Sequence, residues 1–391
     1  MSTYVNLSLN LSLIMDIRSL INPTPSSRLP TPPPSIPKTI RKRKRHDPIP
    51  AWAVREDTSR REVVPHVQAQ VAAQVQPPAQ LQAQLQAQPQ TQPDWEPSIT
   101  NDKPYDEITR LVCDFLWENV VNNEMLRQVV AEGQGTQVEI EAKWGQILDR
   151  VTKDRIAGIH ESECVVRGGD LENTKFESTM SEEQHKRMNI FLNGCVVRAK
   201  SNVAVAPKAS RAPLDYKHVR QTDSFYELNQ AGFDLLAPTT RAILQSPSRQ
   251  KVRITRDTKS GQVLGKIIKH RVINLEISSP QTEWDYRISV NLEINYPGPE
   301  DDLVESMERG RSYTRRKDRM CYSHLQAYRI DLTQVTNPEG EKNHELEIEL
   351  DAAKLIGEAE RIHHNAPSMY EEIVGGMVNN LRVLSRAIRQ H

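Results

Sequence analysis

Two short segments carry residue types that could do chemistry. Residues 138–144 read Val-Glu-Ile-Glu-Ala-Lys-Trp, and residues 345–350 read Glu-Leu-Glu-Ile-Glu-Leu. Each alternates charged and apolar residues with the two-residue period of a β-strand, so the charges share one face. Carboxylates two residues apart on a strand lie roughly 6–7 Å from each other. Two such strands facing each other would gather four or five carboxylates around one small volume. That crowding is unfavourable unless cations relieve it. A hard divalent metal with oxygen ligands is the natural solution.

Other segments repeat the pattern with bases. Residues 287–293 alternate Arg287, Ser289, Asn291 and Glu293 with Ile288, Val290 and Leu292. Residues 251–255 do the same around Arg253, and a turn is expected at residues 258–261. Lys269 and Arg271 lie in the apolar stretch 267–277. Arg315, Lys317 and Arg319 share one face, as do Arg329, Asp331 and Thr333. The polar faces therefore sort into an acidic set (Glu139, Glu141, Glu293, Glu345, Glu347, Glu349) and a basic set (Lys143, Arg253, Lys269, Arg287, Arg315, Lys317, Arg319, Arg329).

A single sheet facing water has no need of such sorting. The expected fold is therefore α+β: a closed antiparallel β-barrel with a charged interior, its apolar exterior jacketed by helices. Amphipathic patterns supply those helices at residues 105–130 and, beyond a break at residues 365–367, at 369–388, where Ile373, Met377, Leu381 and Leu384 share a face. Between them, residues 136–350 read as strand-rich. Acids on one wall and bases on another suit a metal-bound polyphosphate. Carboxylates hold the metal, while Arg and Lys neutralise charge spreading over a transferred phosphoryl group. The competing reading is a surface sheet laced with salt bridges.

The bulk numbers bound the rest. The chain has 391 residues, with 51 Lys+Arg against 51 Asp+Glu, so any polyanion must be met by a local patch. Four separated cysteines form neither a disulfide frame nor a zinc motif. No apolar run is long enough to span a membrane. Residues 261–266 are one residue short of a phosphate-binding loop and read as a hairpin turn. His160 with Cys164, and His363 with His364, read as structural or surface residues. Asp106 and Glu107 suit a helix start.

Residues 1–95 read as a flexible arm and 96–391 as the folded domain. The arm opens on a mildly apolar amphipathic stretch (residues 4–21). It then carries a Pro-rich stretch, the basic run of residues 41–45 and a Gln-rich spacer at 67–93. The basic run has the composition of a nuclear-import signal. Trp52 and Ala53, with their apolar neighbours, have the character of a short partner-docking anchor.

Taken together, the strands around Glu139-Glu141-Lys143, Arg315-Lys317-Arg319 and Glu345-Glu347-Glu349 resemble the signature motifs of the triphosphate tunnel metalloenzymes. The similarity points to the fungal branch, the RNA 5′-triphosphatase (β) subunit of the mRNA capping enzyme. Phe176-Glu177-Ser178, residues 223–226, 285–289 and 329–333 support it, and it covers about residues 100–355. The resemblance implies metal ligands Glu139, Glu141 and Glu349, with Mg²⁺ or Mn²⁺ as cofactor. It implies γ-phosphate contacts from Arg253, Lys317 and Arg319, and a water-positioning Glu293. Lys269, Arg315, Arg329, Asp331, Glu345 and Glu347 would complete the network. The implied substrate is triphosphate-ended RNA, converted to a diphosphate end for capping in the nucleus. The implied partners are the guanylyltransferase subunit, docked through Trp52 and Ala53, and a second copy of the chain. A second tryptophan, present in the fullest form of that docking motif, is missing here. Other readings are a tunnel enzyme acting on small triphosphates or polyphosphate, and a non-catalytic phosphate-binding scaffold.

Overall fold

The computed structural model describes residues 96–388, apart from 134, 157, 159, 206–211, 249 and 309–310. The basic run, Trp52, Ala53 and the Gln-rich tract lie outside the described residues.

Eight long strands form the barrel. They are β1 (Gln137–Asp149), β2 (Leu214–Glu227), β3 (Lys251–Asp257), β4 (Val263–Ser278), β5 (Asp285–Asn295), β6 (Thr314–His324), β7 (Tyr328–Thr336) and β8 (Lys342–Leu350). Every one but β2 follows the charged and apolar alternation. All neighbours pair antiparallel in the order β6-β7-β8-β1-β5-β4-β3-β2. Pairing of β2 back onto β6, from Leu214↔His324 to Ser224↔Thr314, closes the barrel and leaves no free edge. The turn expected after β3 is present. Asp257 Oδ1 accepts from the backbone N–H of Ser260 at 2.7 Å, and Gly261 takes φ 72°, where a side chain would be strained. Gly265 and Lys266 lie in β4 itself, beyond that turn.

The alternation runs with the apolar side outward. Ile140, Ala142, Ile288, Val290, Leu292, Leu346 and Ile348 face away from the bore and are fully buried. The five longer helices supply most of the cover: α1 (Glu107–Leu116), α2 (Glu124–Glu132), α3 (Glu182–Val205), α4 (Ala352–His363) and α5 (Tyr370–Ala387). On α5, Ile373, Met377, Leu381 and Leu384 are buried, as their spacing predicts. Two polar clamps fix α5 on the barrel. Trp144 Nε1 donates to Ser385 Oγ at 2.9 Å, and Tyr328 OH donates to the Ile373 carbonyl at 2.7 Å.

Two expectations need correcting. The helix expected over residues 105–130 is broken. Asp106 caps α1, a widened π-type turn covers Trp117–Val121, and Asn123 restarts the chain as α2 by accepting from Leu126 N–H at 3.1 Å. The strand-rich reading of 136–350 misses α3, which spans 24 residues and covers β2, β7 and β8.

Candidate active site

The closed barrel turns its charges into one cavity of about 620 Å³. Its walls hold Glu139, Glu141 and Lys143 from β1; Arg253 from β3; Lys269 from β4; and Glu293 from β5. Arg315, Lys317 and Arg319 come from β6, Arg329 from β7, and Glu345, Glu347 and Glu349 from β8. Asp331 is 2% exposed and is held by Arg319 (3.2 Å) and Arg329 (3.1 Å). The acidic set and all of the basic set but Arg287, whose guanidinium lies 4.6 Å over the Phe176 ring, thus reach one place. The two glutamate strands do not face each other across the bore. They are hydrogen-bonded neighbours, with Glu141 paired to Glu349 and Lys143 to Glu347.

Asp223 on β2 belongs to the site and is missing from both charged sets. It is 1% exposed, accepts from Thr255 Oγ1 at 2.7 Å, and lies 2.6 Å from Lys317 Nζ and 3.6 Å from Arg315. Both faces of β2 are largely polar between Asp215 and Asp223, and the apolar Val219 falls on the tunnel side, so alternation gives no signal there. The available hint was its place in the segment 223–226.

Electrostatics divide the site in two. On the acidic side, burial and the neighbouring Glu141 raise the carboxyl of Glu139. Burial, against the pull of Arg329, pushes Glu349 up to about 7. Glu347 is also buried, yet Lys143, which donates to it, holds its carboxyl well below the usual range. On the basic side, burial lowers Lys317 to about 8, with Arg315, Arg253 and Arg319 adding to the effect and Asp223 opposing it. Lys269 reaches across to the acids, 2.5 Å from Glu139 and 3.1 Å from Glu141. Glu293 is pinned through Arg253 Nη2, which donates to its Oε1 at 3.0 Å, and through Gln137 at 3.3 Å.

The acidic corner fits a hard cation. Glu139, Glu141 and Glu349 offer oxygen donors only, and their mutual repulsion is what a cation would relieve. Asn291 Nδ2 donates to Glu139 at 2.9 Å and to Glu141 at 3.2 Å, leaving its Oδ1 buried without a partner. The three carboxylates do not converge on one point. Among the described residues no three acidic, His or Cys side chains meet at ligand spacing, because Lys269 sits between Glu139 and Glu141 and Arg329 holds Glu349. His160, which pairs with Ser278 Oγ at 3.1 Å, and His363, whose ring packs against Trp117, stand apart from the cavity.

Comparison with known proteins decides the family. The model described as mRNA capping enzyme, beta chain, matches residues 102–390. The chain belongs to that family. The mRNA-capping enzyme subunit beta of Schizosaccharomyces pombe is 30% identical over 275 residues, covering 68% of this chain and 80% of that protein. The Candida albicans subunit is 26% identical over 299 residues, covering 75% of this chain and 51% of that protein. The chain thus spans about half the length of that second relative. The solved structure of S. pombe Pct1 RNA triphosphatase matches with a TM-score of 0.59 at 28% identity, covering 76% of this chain and 99% of that one. A second Pct1 structure, in complex with the Spt5 CTD, matches with a TM-score of 0.60. The barrel and its helical jacket fall within the matched region.

Proposed function

We infer that the protein is an RNA 5′-triphosphatase. It hydrolyses the γ-phosphate of triphosphate-ended nascent RNA to leave a diphosphate end, the first step of mRNA capping. The observation carrying this reading is the tunnel itself. Nine bases and seven acids line one cavity, a composition that suits a metal-bound polyphosphate.

The roles proposed are those the resemblance implies, and the positions of the side chains support them. Arg253, Lys317 and Arg319 hold the γ-phosphoryl oxygens, neutralising charge that spreads over them in the transition state. Glu293, fixed by Arg253 and Gln137, orients the attacking water and takes its proton as the water oxygen bonds to phosphorus. The bond to the β-phosphate oxygen breaks on the opposite side. Asp223, Arg315, Arg329, Asp331, Glu347 and Lys269 keep those groups aligned through the ion pairs described above, and Glu345, which accepts from Asn343 Nδ2 at 3.2 Å, completes the wall. Glu139, Glu141 and Glu349 would hold Mg²⁺ or Mn²⁺, which would supply Lewis-acid withdrawal of charge from the phosphate. To serve as ligands, Glu139 and Glu141 would have to exchange their pairing with Lys269.

The decisive test is phosphate release from γ-labelled triphosphate-ended RNA with Mg²⁺, with Mn²⁺ and with chelator, beside Glu139→Ala. Metal-dependent release that falls about a thousandfold in the variant is expected. No release from the folded protein with either metal overturns the reading in favour of a phosphate-binding scaffold.

The arm extends the proposal. We place the protein in the nucleus on the basic run of residues 41–45, and assign Trp52 and Ala53 to docking the guanylyltransferase subunit. Trp52→Ala should then leave hydrolysis unchanged while weakening co-purification with guanylyltransferase, and unchanged capture would remove that role. A homodimer completes the assembly proposed by resemblance.

A further inference from the structure

Beyond the charged cavity, the tunnel wall continues into an aromatic ladder. Alternation carries the tunnel-facing side of β6 from Lys317 through Arg315 to Tyr313. It carries that of β2 from Asp223 to Phe225, and that of β3 from Arg253 to Lys251. These positions meet at the end of the barrel where β2 finishes and where β3 and β6 begin. There the rings of Phe225 and Tyr313 stack with centroids 4.7 Å apart and planes 29° apart. The Arg315 guanidinium lies 4.7 Å over the Phe225 ring, and the Lys251 ammonium 5.3 Å over Tyr313. The Phe225 N–H also donates to the Tyr313 carbonyl at 3.1 Å, locking the two rings to one backbone unit.

The two ends of the ladder differ. Arg315 is half-buried and tied to Asp223, whereas Lys251 is exposed and has only a long contact with Glu227 at 3.8 Å. The outer face of Tyr313 is thus covered by an exposed ammonium. Such an exposed cation–π contact is weaker than a base stacked on an aromatic ring. Tyr313 stands four residues along the wall from Lys317, a span of roughly 13 Å. That is about the reach from a γ-phosphate, through the other two phosphates and the ribose, to the first base.

Resting on the triphosphatase reading above, we propose that the Phe225–Tyr313 stack seats the first nucleobase of the substrate. The base displaces Lys251 from the outer face of Tyr313, and the freed ammonium meets the next phosphodiester. The mouth formed by β2, β3 and β6 is then the one through which RNA enters. Tyr313 is a specificity residue that acts on the nucleoside end and not on the reacting phosphate.

Three substrates separate these roles: inorganic tripolyphosphate, which has no base; ATP, which has one; and a triphosphate-ended RNA oligonucleotide. With the full chain, Tyr313→Ala is expected to raise KM for ATP and for RNA about tenfold with kcat unchanged. The constants for tripolyphosphate should stay the same, and Tyr313→Phe should stay close to the unsubstituted protein. Tyr313→Leu keeps most of the side-chain volume and should show the same loss, which guards against a folding defect in the alanine variant. Equal loss on all three substrates, or no loss on any, overturns the proposal. Absence of hydrolysis of every substrate by the unsubstituted protein overturns the triphosphatase reading, and this inference falls with it.

Discussion

The two faces of the same eight strands obey opposite rules. Outward, β1 shows Ile140, Ala142 and Trp144 to a helical jacket; inward, it shows Glu139, Glu141 and Lys143 to water and to other charges. The outer face holds the fold through burial of apolar area, which is additive and tolerant of detail. The inner face gains little stability from its ion pairs, since desolvation offsets much of each attraction. It is kept because the arrangement is poised for a ligand. Glu139 and Glu349 hold their protons more tightly than usual, and Lys317 more loosely. Each of these strains would be eased by a partner of opposite charge. A barrel of this kind separates stability and function by a single residue step along each strand.

Trp144→Ala tests that separation most strongly. The ring is 1% exposed, packs edge-on to Tyr286 at 6.4 Å, and bonds to Ser385 on α5. Its removal leaves a large cavity between jacket and barrel and should cost about 4 kcal/mol in chemical denaturation. Phosphate release per folded molecule should stay within about twofold, since Lys143 next door keeps its partners. A thousandfold loss of specific activity in protein that remains folded would show that the outer face also tunes the site.

On the inner face, the sharper probe is pH. Burial and three neighbouring arginines bring the free-tunnel Lys317 down to about 8, so above that pH the side chain loses the charge that attracts phosphate. Because kcat/KM reports groups of the free enzyme, it should fall with an apparent pKa near 8 on the alkaline side. Lys317→Arg stays protonated throughout and should lack that limb, at the cost of lower activity at its plateau. An alkaline limb retained in the arginine variant would assign the titration to another group.

What could be read in advance follows the same division. The inner face was legible because it violates expectation: Glu-x-Glu-x-Lys and Arg-x-Lys-x-Arg sort charge in a way no ordinary wet face needs. The C-terminal helix was legible because Ile373, Met377, Leu381 and Leu384 form one clean stripe. Helix α3 was not, because Ile190 and Val197 are exposed on its outer side while Met188, Leu192 and Ala199 are buried, which blurs the stripe. The break at Asn122 and Asn123 was hidden by apolar residues that continue on both sides of it. Asp223 escaped because its role depends on β2 closing against β6, a pairing between residues about a hundred positions apart. Local pattern reports which face a residue takes; it does not report which strand will lie beside it.

The seam between α3 and the barrel offers the mildest test of the comparison, because it puts titratable groups on the outer face. His185 of α3 lies with its ring centroid 4.7 Å from that of His344 on β8, and its Nε2 is buried without a hydrogen-bond partner. Burial, with a smaller contribution from His344, lowers His185 to about 4, while Asp318 and Glu182 pull the other way. His344, which meets Gln334 at 3.3 Å, is lowered as well. A histidine depressed in the folded state binds fewer protons there than in the unfolded chain. Its contribution to stability is therefore complete above the unfolded value near 6.5 and is lost as pH falls toward 4. Denaturation midpoints should drop between pH 7 and pH 5, and His185→Leu should flatten part of that slope while leaving activity at pH 7 unchanged. The same slope in the leucine variant would move the acid sensitivity to the inner face, where the carboxylates that neutralise Lys143, Lys317 and Arg319 lose their charge as pH falls.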